Sequence, residues 1–455
     1  MDPIPLRLDA IQGNILFGFN KDFQDFFVLS FANAVAVRDW IREITRSAVG
    51  IENSSAAAVQ QFNASFKRLR RLPGVSLSAE WVHLAFAHRG LTFLKDVLGI
   101  PDAHLEEFPA AFREGMAMRA DILGDEGGNG PDHWIDPFAD GCVRVHALLI
   151  VAADSEAALN NRTEAIRGTD AFKAAFGQGC VGFQGRARPD APGHEHFGFK
   201  DGISQPGIRL HPDGEVPADN GQNFLWPGEF VLGYPTQIGH AHPEHTGANP
   251  DPGPVSTAGP EWTRDGSFMV FRRLHQNVRG FQQQVDGIAS AQGMPVAYAE
   301  AKLVGRFKSG DPLPACPLAA HIQKAYPRDP AVLAGNRDMA SAVETHRLLR
   351  RGIPYGPSFD PAHPDDGDRG LLFVTYQSKL EGQFEFVQQK WMNFAKFPDM
   401  PMTVGQDPIS AMSVRGPFQW EQGHRTIDLD HFVTMTGGEY FFSPSIAALR
   451  AMAGL

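Results

Sequence analysis

The sequence predicts an α+β protein of two units, each a mostly antiparallel sheet with helices on one face. Three observations carry that expectation. A chain of 455 residues exceeds what one ordinary core accommodates, so two domains are expected. The first half runs β-α-β and then β-α-β, the order of a ferredoxin-like unit with long insertions. The second half repeats strand-turn-helix, and Leu371 to Phe397 echoes Val82 to Leu98, which suggests an internal duplication.

The elements follow in order. Phe26 to Phe31 reads as a strand, and Val35 to Ser47 as a helix with Val37, Trp40, Ile41 and Ile44 at helical spacing. A second helix spans about Ser55 to Leu72. Val75 to Phe86 is a strand that leads through Gly90 into a helix from Leu91 to Leu98. More helix is expected between Leu105 and Leu123, and loop from Asp125 to Asp140. Cys142 to Ala152 is a buried strand. Ser155 opens a helix to about Gly168, and Cys180 to Phe183 closes the unit. Ala187 to Asn223 is loop, dense in Pro, Gly and Asp. The second unit starts with a strand at Ser267 to Phe271 and helix from Val278 to about Lys302. Gly305 to Asp368 is mostly loop, with a helical patch from Ala340 to Arg350. Leu371 to Tyr376 is a strand and Phe384 to Phe397 an amphipathic helix. His431 to Phe442 is one bent strand or two short ones, and Ser443 caps a terminal helix. The division into units is placed at 1–215 and 216–455.

Composition bounds the function. Apolar residues make up 43% and charged residues 20%, as in a soluble globular protein. The net charge of −11 argues against nucleic acid and anionic membrane surfaces as partners. The three cysteines, Cys142, Cys180 and Cys316, are far apart and include no CxxC, which argues against a disulfide framework or zinc-thiolate site. No signal-type segment opens the sequence, so a cytoplasmic protein is expected, or a secreted one if the chain is a mature form.

Four stretches could carry chemistry. The central one is His194-Glu195-His196-Phe197-Gly198-Phe199-Lys200-Asp201-Gly202-Ile203-Ser204-Gln205-Pro206. It holds Asp201 between two glycines and two aromatics, where a carboxylate can do proton-transfer work or can simply cap its own turn. His240, His242 and His245 are close enough to suggest a metal loop, as is the His194/His196 pair, although loop histidines are usually just solvated. His321 has small apolar neighbours before it and Lys324 after it. It could face a large planar metal complex or be a satisfied core histidine. The Arg347, Arg350 and Arg351 cluster is either a charged helix C-terminus or a source of one arginine aimed at an anion or peroxide.

Taken together, these segments resemble the dye-decolourising peroxidases, a haem family. Gly198-Phe199-Lys200-Asp201-Gly202 matches the family's GxxDG pattern, and Ile203-Ser204-Gln205-Pro206 continues it. Ala320-His321-Ile322 resembles the proximal-histidine segment. Arg350-Arg351-Gly352-Ile353-Pro354-Tyr355-Gly356 resembles the distal-arginine segment, and its spacing from His321 suits the longer, fungal-like branch. Gln12 to Leu16, Leu84 to Leu91, Asp265 to Phe268, Leu371 to Val374 and Gln383 to Phe386 extend the match in order along the chain. Gln323 departs from it, standing where the family often has Arg, which concerns one proximal-side or propionate contact.

The resemblance implies two ferredoxin-like halves packed as an α+β barrel-like pair, with heme b mainly in the second. His321 would be the iron ligand, with Asp407 as its carboxylate partner and Glu385 as the fallback. Asp201 and Arg350 would act on hydrogen peroxide. Phe199, Gly202, Leu371 and Phe373 would contact the cofactor, and the latter two would keep the distal pocket small. Bulky aromatic donors would then react at the surface, through Tyr355 and Trp391. A monomer or homodimer is expected. Three rival readings remain: a haem-binding or iron-releasing protein, a non-haem metal hydrolase on the His240 loop, and a non-catalytic binding module.

Overall fold

The computed structural model describes residues 5–46, 50–69, 77–210, 224–238, 251–327, 342–398, 403–412, 416–421 and 425–455. Four strands form the first sheet: β1 (Phe23–Leu29), β2 (Glu80–Phe86), β3 (Ala147–Ala153) and β4 (Cys180–Arg186). They lie in the order β2-β3-β1-β4, and every pair is antiparallel. The second sheet holds β5 (Ser267–Gln276), the short β6 (Leu349–Arg350) and β7 (Ile353–Tyr355), β8 (Gly370–Gln377) and β9 (Val433–Ser443). There β6 and β7 both pair with β8, and the order continues through β5 to β9. Both halves therefore place their strands second, third, first, fourth. This is the ferredoxin-like order, and the duplication hinted at by the sequence appears as shared topology.

The two sheets join at one seam into a single nine-stranded sheet and meet again at a second. On one side β9 touches β2 through the Phe442–Phe86 pair. On the other, β4 presents Gly185 to Ile353 of β7, so closely that a Cβ on Gly185 would lie 2.3 Å from the Ile353 Cγ2. Phe26 of β1 and Phe271 of β5 pack between the sheets with ring centroids 5.8 Å apart. Alternation along the strands separates two environments. Leu372 and Val374 of β8 point into the shared core and are fully buried. Leu371 and Phe373 point the other way and line a large cavity, together with Arg272, Leu274 and Gln276 of β5.

The first half carries α1 (Ala34–Arg46), α2 (Ala56–Leu69), α3 (His88–Leu98), α4 (Glu156–Arg167) and α5 (Asp170–Phe176). The stripe foreseen on α1 is buried, and Trp40 meets Phe176 edge-on at 4.8 Å. Ser155 caps α4 by accepting from the Ala158 amide. The second half carries α6 (Val278–Gln292), α7 (Val296–Val304), α8 (His321–Ala325) and α9 (Ile446–Met452). Among the described residues no helix is long and apolar enough to cross a membrane.

Several elements differ from the sequence reading for identifiable reasons. The helix expected from Leu105 to Leu123 is broken into short pieces, where Pro109 and the left-handed Gly115 interrupt it. The strand expected from Cys142 begins only at Ala147, because Cys142 is itself left-handed and turns the chain. Gly293 and Pro295 split the long helix after Val278 in two. The amphipathic segment is wound as π-helix over Leu380–Glu385 and Val387–Met392. The strand near the C-terminus is single, with a bulge between Met435 and Gly437. Ser445, not Ser443, caps α9 by accepting from Ala448; Ser443 bonds His83 instead. The proposed boundary at 215/216 lies outside the described residues.

Candidate active site

The Asp201 loop is shaped by a carboxylate beneath it. Glu195 is half-buried, and its two oxygens accept from the amides of Phe197 and Phe199 at 2.8 Å each. Gln276 of β5 adds a third hydrogen bond at 2.5 Å. Burial pushes the Glu195 carboxyl up, while these donors draw it back toward the ionised form. Gly198 and Gly202 hold φ values of 94° and 77°, which a side chain would resist. Asp201 is thereby held at the cavity wall. Its Oδ1 accepts from the Gly202 amide at 2.6 Å and from the Arg350 guanidinium at 3.1 Å. Both readings of Asp201 are therefore realised, since one oxygen caps the turn and the residue still lines the cavity.

Arg350 comes from the other half of the molecule. It sits on β6, not at the end of the expected helical patch; among the described residues, helix there is confined to 342–344. Pairing with β8 overrides local helix propensity, because the Arg351 amide bonds the Val374 carbonyl at 2.7 Å. Gln205 fastens the Asp201 loop to this strand. Its side-chain amide donates to the Arg350 carbonyl at 2.8 Å and accepts from the Arg350 amide at 3.2 Å. The three arginines have separate jobs. Arg350 pairs with Asp201, Arg351 donates to the carbonyls of Asn14, Ile15 and Leu16, and Arg347 stacks over Tyr326 at 3.8 Å.

His321 begins α8 and lines the same cavity. Its Nδ1 lies 2.8 Å from Oδ2 of the fully buried Asp407. The other Asp407 oxygen accepts from the amides of Ile409 and Ser410 at 2.8 Å each. Burial works against charge on both partners, yet their attraction prevails, so His321 is raised and Asp407 lowered. Glu385, the fallback partner, is engaged elsewhere, since Arg119 grips both its oxygens at 2.5 and 2.7 Å.

The cavity between these groups encloses about 1760 Å³, its open mouth included. Phe199, Gly202, Leu371 and Phe373 line it, as expected of cofactor contacts, and so do Phe384 and Met392 from the π-wound segment. The donor set fits a haem. His321 offers only its Nε2, because Nδ1 is committed to Asp407. Among the described residues no group of three or more His, Cys, Asp or Glu could hold a metal ion. A bare ion would need more ligands than one imidazole, whereas a metal carried in its own macrocycle needs one axial nitrogen.

Other expectations fare differently. Tyr355 and Trp391 are each 5% exposed, so neither is a surface residue. Tyr355 is held by the β7–β8 pairing, and Trp391 packs against Phe397 and His346 with centroids 5.2 Å away in each case. The His194/His196 pair is not a metal site; the His196 Nε2 bonds the Tyr355 carbonyl and His194 contacts those of Pro192 and Lys308. His240, His242 and His245 lie outside the described residues.

Sequence reading assigned no role to Glu195, Gln205, Arg272 or Arg306. Glu195 and Gln205 belong to the Asp201 segment, yet a carboxylate that organises a loop looks in sequence like any acidic loop residue. Arg306 lines the cavity; among the described residues its guanidinium bonds the Gly310 carbonyl at 2.9 Å, and burial disfavours its charge.

Comparisons with known proteins agree with this geometry. The family model described as the DyP dimeric alpha+beta barrel domain matches residues 10–189, and that described as Dyp-type peroxidase, C-terminal, matches 241–400. The chain is 30% identical to the dye-decolorizing peroxidase AauDyP1 of Auricularia auricula-judae, over 98% of this chain and 86% of that protein. It is 29% identical to Peroxidase 2 of Mycetinis scorodonius, over 98% and 88%. An ancestral D-type dye-decolorizing peroxidase superposes with a TM-score of 0.79 at 32% identity, over 98% of this chain and 99% of that one. A dye-decolorizing peroxidase complexed with 2,6-dimethoxyphenol gives 0.75 at 30%, over 98% and 100%. Deferrochelatase of Yersinia pestis matches only 29% of this chain and 29% of its own length, at 29% identity.

Proposed function

The chain belongs to the DyP-type peroxidase family, and we propose that it is a heme b enzyme that reduces hydrogen peroxide and oxidises phenols and dyes by one-electron steps. One observation carries this reading: the Asp201–Arg350 pair and the Asp407-tethered His321 line one cavity. His321 would hold the iron through Nε2, and Arg306 would meet a haem carboxylate. Attachment would be non-covalent, because no C-x-x-C-H stretch exists to tether the group. When bound, a haem there would supply the redox-active metal for peroxide reduction, with electrons replaced by the donor.

The protein's own groups manage protons and charge. Asp201 Oδ1 is committed to Gly202 and Arg350, which leaves Oδ2 to take a proton from peroxide and return it to the departing oxygen. Arg350 stabilises the negative charge that develops there. Asp407 fixes which nitrogen of His321 carries the proton and strengthens the other as a ligand. Leu371 and Phe373 keep bulky donors away from the reacting atoms. Such donors would be reached through interior aromatics, with Tyr355 and Trp391 as buried steps on a route. Full turnover of large dyes by a Tyr355→Phe, Trp391→Phe double variant would remove both from that route.

The test is an absorption spectrum of the haem-loaded protein before and after one equivalent of hydrogen peroxide. A Soret band that changes at once supports the proposal. A Soret band unmoved by peroxide would overturn it in favour of haem handling.

A further inference from the structure

Tyr440 lies directly behind the cavity wall. Its strand partner, Val270, is two positions before the cavity-lining Arg272, and paired residues share a sheet face. The Tyr440 ring meets Phe384 edge-on at 6.2 Å, and Phe384 lies 6.3 Å from Phe373. Both phenylalanines line the cavity, so Tyr440 is an oxidisable ring one contact behind it.

The hydroxyl has a built-in proton acceptor. Tyr440 is fully buried and donates to Glu385 Oε1 at 2.9 Å. Arg119 fixes that carboxylate through both oxygens and also bonds the partly exposed Glu114 at 2.7 Å. The Arg119 pair compensates the buried carboxylate, and the Tyr440 hydroxyl bonds it in addition, so the phenol rests on an oxygen able to accept its proton. Burial, and then the nearby Glu385, push the Tyr440 hydroxyl well above its ordinary value, so the phenol does not ionise by itself. Tyr355 differs in one respect. The Arg273 guanidinium sits 4.2 Å above its ring and opposes loss of an electron.

We propose that Tyr440 is an interior redox relay, giving one electron to peroxide reduction while its hydroxyl proton passes to Glu385. This rests on the peroxidase reading above. Reduction of one hydrogen peroxide to two waters takes up two electrons and two protons. Two molecules of a phenolic donor supply these overall, each giving one electron and its hydroxyl proton. Tyr440 lends one of the electrons ahead of its donor; its O–H bond breaks, the proton goes to Glu385 Oε1, and a neutral phenoxyl radical remains. An aromatic donor then returns one electron and Glu385 returns the proton, which restores Tyr440.

The experiment is freeze-quench electron paramagnetic resonance of the haem-loaded full chain after hydrogen peroxide, without donor. Unmutated protein grown with ring-deuterated tyrosine should show a narrowed radical signal, which identifies a tyrosine without any substitution. Tyr440→Phe should lose that signal, and Glu385→Gln, which keeps an acceptor but no base, should lower it severalfold. A signal that does not narrow, or one of full size in Tyr440→Phe, overturns the proposal. Full yield in Glu385→Gln overturns Glu385 as the proton acceptor. The Soret band of the same samples reports separately on the peroxidase reading: if peroxide leaves it unchanged, that reading fails and this inference with it.

Discussion

Asp201 and Arg350, one from each half of the molecule, share a single oxygen. Arg350 donates to Asp201 Oδ1 at 3.1 Å, and the Gly202 amide already occupies that atom at 2.6 Å. The carboxylate is therefore polarised between a held oxygen and a free one. Substitution by Asn keeps an acceptor for both donors but removes the proton carrier. Asp201→Asn should slow the reaction with hydrogen peroxide by about 10²–10⁴-fold, with little change in haem content or melting temperature. Stopped-flow absorption checks it, and a rate equal to that of the unmutated protein would exclude Asp201 as the base.

Asp407 faces donors on both sides, with the Ile409 and Ser410 amides on one oxygen and His321 Nδ1 on the other. An amide group at this position must turn its NH2 toward one of them. Asp407→Asn should therefore disturb either the loop or the His321 tautomer, and haem affinity should fall roughly 10–100-fold. Haem transfer to an excess of a scavenger protein measures this; an unchanged transfer rate would count against the pairing.

Glu229 supplies a test of pH dependence. Burial pushes its carboxyl up to about 7, and Lys379 only partly opposes this. The folded state thus keeps a proton that the unfolded chain loses near 4.5. Stability contributed by that proton is fully present below pH 4.5 and lost as pH rises through about 7. Glu229→Gln keeps an acceptor for the Gln237 amide and removes the titration. The variant should gain on the unmutated protein by on the order of 3 kcal/mol between acidic and mildly alkaline pH. Urea denaturation at both ends of that range decides it, and a constant difference would contradict the assignment.

The Gly185–Ile353 seam leaves no space for a methyl group. Gly185→Ala would place its Cβ 2.3 Å from Ile353 and 3.3 Å from Phe26. Overpacking of this kind costs ~1–3 kcal/mol, so the midpoint of denaturation should fall. A midpoint equal to that of the parent would mean that the seam yields.

Residues whose role is written in a local pattern were legible in the sequence. The glycines beside Asp201, the helical stripe of α1 and the alternation of β8 all act within a few residues of themselves. Ordered motifs also pointed to His321 and Arg350, which the structure brings to one cavity, and to Asp407, which holds His321 from behind. Roles set by distant partners were not legible. Arg350 read as helix because Leu348-Leu349-Arg350-Arg351 favours it, and only the β8 carbonyls and Gln205 overrule that. Tyr355 and Trp391 were placed at the surface, but nothing local reveals that β8 covers one and that Phe397 and His346 enclose the other. Glu385 resembles a partner for His321 in sequence, but Arg119, far away in the chain, holds it instead.

The order of strands has a consequence for how the protein is made. β9 is synthesised after every other strand of the sheet, yet it lies in the middle, between β5 and β2. On the ribosome, a growing chain can already have β1 to β4 and the Asp201 loop while the seam to its second half is still missing. Closure of the sheet between the two halves therefore waits for the end of translation.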